Sequence, residues 1–147
     1  MKRALAVGTA LASTALLVGG CGSSSHATSL PGLAGAKLTR LKAIVRQAAK
    51  ADGNAHPSSV MVFASRRHQA NIAAGAGTGV FGSQPVYLVV MRGHFVVANP
   101  APGGGPAVHP DVITMVLDRT TLSQLDGGYG GHVDTSSVGP GLPLPTG

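Results

Sequence analysis

The side chains able to hold a metal or move a proton are six histidines and five acidic residues, and the chain has a single cysteine. The histidines are His26, His56, His68, His94, His109 and His132. No two stand four apart on a helical pattern, and no His-x-His or Cys-x-x-Cys occurs. The closest groupings, His109-Pro110-Asp111 and His132-Val133-Asp134, fall in Pro/Gly-rich stretches that support a preorganised site poorly. Catalytic zinc takes three protein ligands in fixed geometry. A small metal-dependent enzyme built on this chain would have to use His94, His109 and Asp111. The plainer reading is loop histidines in solvent, with no metal and no cofactor implied.

The acids are Asp52, Asp111, Asp118, Asp126 and Asp134, with no glutamate. All sit at expected element ends or in loops, where turn and cap chemistry is their ordinary role. Hydrolysis by paired carboxylates needs two acids at a set separation, which this distribution does not provide. No Gly-x-Ser-x-Gly elbow is present, and Gly103-Gly104-Gly105 lacks the Gly-Lys-Ser/Thr of a phosphate cradle. These absences point away from catalysis. Arg92-Gly93-His94 is the polar cluster kept as a possible binding site, because it interrupts a long apolar run and a bulge there would re-aim side chains. A strand end reaching solvent gives the same pattern.

The cysteine has a telling position. Met1-Lys2-Arg3 leads an uncharged apolar run, Ala4 to Val18, which ends in Val18-Gly19-Gly20-Cys21. This arrangement resembles a bacterial lipoprotein signal peptide, with Val18 where that motif prefers leucine. The resemblance implies removal of residues 1–20, a lipid on Cys21 as the first mature residue, and residence on the extracytoplasmic face of the cell membrane. The apolar run is shorter than the ~20 residues of a membrane-spanning helix. An ordinary secretory leader is the alternative. One cysteine makes no internal disulfide, so the exported domain is not a disulfide scaffold.

Composition divides the remainder. Residues 21–36 are rich in Gly, Ser, Ala and Pro and read as a flexible tether. Residues 37–126 carry the periodic apolar patterns and form the expected domain. Residues 127–147 are dominated by Gly, Pro, Ser and Thr, too little apolar surface to offset ordering entropy, so disorder is expected there. The formal charge of +6 falls to +4 once Lys2 and Arg3 are removed. Lys37, Arg40, Lys42, Arg46 and Lys50 lie on one expected helix. They suit either attraction to anionic headgroups or an acidic partner, or simply a solvated face. With two Tyr, three Phe and no Trp, a base-stacking platform is hard to build, so nucleic acid is not an expected partner.

Within 37–126 the pattern predicts an α+β domain. Leu38, Leu41, Ile44, Val45, Ala48 and Ala49 recur at helical spacing, and Asp52-Gly53-Asn54 supplies a stop. Val60 to Ala64 reads as a strand. Residues 66–74 favour a short second helix capped by Ser65, with Ala70, Ala73 and Ala74 inward; a hairpin arm is the alternative. Val86 to Met91 is apolar at every position, which fits either a strand covered on both faces or a central one. Gly93 then allows a two-residue turn or, the favoured reading, a bulge with the strand running on to Val97. Val112 to Leu117 is the last strand, with Ile113, Met115 and Leu117 on one side; Leu122 to Leu125 adds at most a short return. One amphipathic helix on a small antiparallel sheet makes a two-layer domain.

Pro85 to Phe95 and Val112 to Asp118 make the region resemble small exported actinobacterial proteins, with similarity to PepSY-like and cystatin-like domains. Here the turn after Asp118 holds Thr121-Leu122, without the Gly usual in the PepSY pattern. The resemblance implies a helix on a hairpin sheet and a non-enzymatic binding or inhibitory role, and brings no catalytic residues. The expected function is a membrane-anchored, non-catalytic module that binds another envelope protein or peptide. Two alternatives are the metal-dependent enzyme above and a peptide- or protease-binding module that adds a partner strand to its sheet edge.

Overall fold

Leu41, Val45 and Ala49 are the buried stripe of the first helix, α1 (Gly35–Ala51), at the expected four-residue spacing. Gly53 takes φ 76°, and Asn54 N–H reaches back to the Ala49 carbonyl at 2.9 Å, so the helix stops where Asp52-Gly53-Asn54 predicts. The computed structural model describes residues 28–76, 82–98, 106–130 and 132–146. The further elements are β1 (Ser59–Arg66), α2 (Arg67–Ala73), β2 (Pro85–Arg92), β3 (Val112–Asp118), β4 (Gln124–Gly130) and β5 (Gly141–Leu144). The five strands form one sheet in the order β4-β3-β2-β1-β5, every pair antiparallel. The fold class is α+β, as expected.

β2 is the centre of the sheet because its apolar residues satisfy both faces. Tyr87, Val89 and Met91 face α1, together with Val60, Val62, Ile113, Met115 and Leu117. Val86, Leu88 and Val90 face the other way, with Phe63, Val112, Val116 and Val138. That second face is covered by Ala70 and Ala73 of α2 and by Val133 and Val138, so the two-layer expectation gives way to cover on both sides. Each buried Val, Leu or Met contributes roughly 1.5–3 kcal/mol of transfer free energy, which is what draws small elements such as α2 onto the sheet. Among the described residues no helix is long and apolar enough to cross a membrane.

Several sequence expectations need correction. The tether does not extend to residue 36. Leu30 and Leu33 are buried on the α1 face, and the fully buried Tyr87 donates its phenolic O–H to the Pro31 carbonyl at 2.7 Å. Ser65 does not cap α2; it is part of β1, and Arg66 occupies the cap position without a side-chain bond. The largest correction concerns residues 127–147. β4 extends to Gly130, and β5 pairs with β1 from Val60↔Leu144 to Phe63↔Gly141. The boundary at 126 is therefore not the domain's end. Composition argued for disorder, but a strand that can pair with a preformed sheet takes its stability from the neighbour's backbone and core. At Gly141 the absent side chain is itself required, because a Cβ there would lie 2.6 Å from the Phe63 ring.

Candidate functional site

The sheet ends differently at its two sides. β5, on one edge, carries Pro143, with Pro140 before it and Pro145 after it. Proline cannot donate to a further strand, so this edge is blunted. β4, on the other edge, reads Gln-Leu-Asp-Gly-Gly-Tyr-Gly, without proline or lysine. Among the described residues its only strand neighbour is β3. Its outward backbone groups are the ones a further strand would use.

Two consecutive glycines open this edge on both faces. Gly127 lies opposite Met115 and Tyr129 opposite Ile113, on the α1 face. Gly128 lies opposite Thr114 and Asp126 opposite Val116, on the α2 face. Without side chains at 127 and 128 there is space beside β3 on both faces, although the β3 side chains themselves stay buried. An open cleft of about 380 Å³ follows on the α2 face, lined by Asn71, Ala74, Thr114, Val116 and Gly128. A second, of about 280 Å³, lies on the α1 face between Ala48, Asp52, Val97, Met115 and Gly127. Tyr129 borders both and is 51% exposed, the most exposed of the large apolar side chains described.

A polar cluster holds the β4 end of the first cleft. Arg67 donates from Nε to Asp126 Oδ2 at 2.7 Å and from Nη2 to Oδ1 at 2.9 Å. Asn71, 1% exposed, adds its amide to Oδ2 at 3.1 Å. The Arg67 bond, with help from Asn71, holds the Asp126 carboxyl below the usual carboxylate range, and the same bond raises the Arg67 guanidinium. Through Arg67 and Asn71 the carboxylate ties α2 to β4, so the cluster is a brace between the two elements. Asp52, in the second cleft, is the opposite case: partial burial pushes its carboxyl up.

Arg92, Gly93 and His94 end up at the far end of β2. Arg92 closes the strand, exposed, with its carbonyl accepting from Ser58 Oγ at 3.0 Å. Beyond it the chain keeps company with the lead-in to β3. Gly93 N–H reaches the Asp111 carbonyl, Phe95 N–H the Pro110 carbonyl, and Val97 pairs with Val108. Arg92↔Val112 and Val97↔Val108 leave one extra residue on the Arg92 side. That is the geometry of a bulge, and it rules out the two-residue turn. The regular strand nonetheless stops at Arg92, short of the expected Val97. Gly93 is needed for close approach, since a Cβ there would stand 2.5 Å from the Asn54 amide. The bulge turns His94 into solvent, where its Nδ1 lies 3.1 Å from Asp111 Oδ1.

The histidine–aspartate pair does not grow into a metal site. Among the described residues no three His, Cys, Asp or Glu side chains gather closely enough to hold an ion, so His109 does not complete the set with His94 and Asp111. His56, His68 and His132 are exposed. Cys21 and His26 lie outside the described residues. The features that sequence reasoning missed are Gly127, Gly128 and Tyr129 and the Arg67–Asn71–Asp126 brace. The available signal was the strand that β3 needs as a partner after the Asp118–Thr121 turn. Comparison with known protein families, with curated proteins and with solved structures finds no match for this chain.

Proposed function

We propose that this chain is a lipid-anchored, non-catalytic module on the extracytoplasmic face of the membrane, which holds an extended segment of another envelope component along β4. The observation that carries the reading is the β4 edge: unpaired on its outer side among the described residues, free of proline and lysine, and flanked by a cleft on each face. Strand addition obtains affinity from backbone hydrogen bonds and selectivity from alternate side chains entering such clefts. The blunted β5 edge leaves β4 as the side on which this would occur. The leader-like run ending at Cys21 supports the anchor.

The test is capture from detergent-solubilised envelope by the full chain and by its Gly130→Lys variant. Position 130 has open space for a side chain, so the fold tolerates the change while the lysine blocks edge pairing. A saturable partner held by the parent and lost by the variant is the expected result. Equal capture by both would sink the edge as the binding site.

A further inference from the structure

We infer that a strand fitting the β4 edge is β4 of a second copy of this chain, paired antiparallel about a two-fold axis through Gly128. The inference rests on the reading of β4 as an open edge and adds the identity of one occupant. In a strand, backbone groups point outward at every second residue. A two-fold antiparallel pair therefore matches outward groups with outward groups only where the axis passes through a residue facing its own copy. With the axis at Gly128, Tyr129 of each copy faces Gly127 of the other, and Gly130 faces Asp126.

This register is self-complementary in three ways. The exposed Tyr129 ring lies across Gly127, where the end of the exposed, flexible Gln124 side chain has to move aside for it, and an aromatic set across from a strand glycine shields it. Asp126, the one charged residue of β4, faces a glycine and is already neutralised by Arg67, so no like charges meet. No proline or side chain stands in the way at the axis itself. Moving the axis by two residues to Asp126 sets two carboxylates face to face, and moving it by one to Gly127 takes Tyr129 off its glycine. The paired segment is short, residues 126–130 of each copy of β4, so the contact is small beside a standard interface of about 1,600 Å². Confinement to one membrane surface raises the effective concentration and favours it. A foreign strand competes for the same edge, so self-pairing would cap β4 until such a partner arrives.

Cysteine cross-linking of the full chain in its membrane tests this. At the axis the two Gly128 Cα atoms come within about 4.5–5.5 Å, inside the range a disulfide spans. A Cβ at Gly128 meets Thr114 Oγ1 at an ordinary 3.6 Å, so Gly128→Cys folds. Gly130 and its copy stand four residue rises apart, about 13 Å, and Gly130→Cys has open space. Under mild oxidation Gly128→Cys gives a disulfide-linked dimer, while Gly130→Cys and the parent with Cys21 alone do not. Adding Tyr129→Ala slows the Gly128→Cys cross-link about tenfold. No cross-link at Gly128→Cys, or equal cross-linking at Gly130→Cys, overturns the proposal. If Gly128→Cys stays monomeric while Gly130→Lys still abolishes capture of an envelope partner, the self-pairing falls and the edge reading stands.

Discussion

Arg67 and Asp126, 59 residues apart, are joined by two hydrogen bonds of 2.7 and 2.9 Å that fasten the start of α2 to the middle of β4. The pair is a bidentate fork, the geometry in which a guanidinium and a carboxylate interact best. It matters to the edge because β4 has little else to hold it. Three of its seven residues are glycine and it has a single strand neighbour among the described residues.

Removing the carboxylate should therefore loosen the edge first. Asp126→Ala leaves the buried Asn71 amide without its acceptor, a loss of about 1–3 kcal/mol. Urea denaturation measures it, and hydrogen exchange should place the loosening in β4. A variant as stable as the parent would remove the brace from the account.

Acid should weaken the fold through Asp126 and Asp118. Two backbone N–H groups, of Thr121 and Thr120, hold the Asp118 carboxyl below its ordinary range, as Arg67 does that of Asp126. A carboxyl lowered in the folded state contributes stability above its unfolded value, about 3.9, and that contribution is lost as pH falls through the folded one. Asp52, raised by burial, works in the opposite sense: its favourable share exists at low pH and disappears as pH rises through its folded value. Thermal unfolding followed from pH 7 to pH 2 should show a steep fall below about pH 4. In Asp118→Asn that fall should be shallower.

Deleting residues 139–147 should destabilise the domain. The deletion removes buried Leu144 and the backbone partners of β1. Leu144 alone represents roughly 1.5–3 kcal/mol. Gly141→Val should do similar damage by driving a side chain into Phe63. Differential scanning calorimetry is the measurement, and a melting temperature unchanged by the deletion would return this segment to the status of a tail.

Cys21→Ser should release the protein from the membrane fraction into the medium. The apolar run before it, Ala4 to Val18, is shorter than the ~20 residues of a membrane-spanning helix, and in the proposed reading the lipid therefore does the anchoring. Fractionation and immunoblotting decide between release and retention, and retention would exclude the lipid as the anchor.

Chelation should leave the melting temperature of the purified protein where it was. His94 and Asp111 pair without a third ligand among the described residues, and a structural metal would couple directly to folding. A shift with EDTA would revive the metal-dependent reading.

What the sequence determined by itself is local. The helical stripe of Leu41, Val45 and Ala49, the stop at Gly53 and the apolar runs of β2 and β3 were legible because burial imprints a period of 3.6 or a continuous run on the residues concerned. Alternation even assigned Ile113, Met115 and Leu117 to one face. What only the tertiary structure decided is pairing across distance. Gly127 and Gly128 have no side chains to show alternation, and Gly141-Leu142-Pro143-Leu144 looks like a linker by composition. They become strands because β3 and β1 offer backbone partners, and because Phe63 fills the space Gly141 leaves. The β4 edge, with β3 as its single strand neighbour among the described residues, and the Arg67–Asp126 brace are properties of which segments meet. A period along one segment cannot encode them, since the stabilising contacts lie in a different part of the chain.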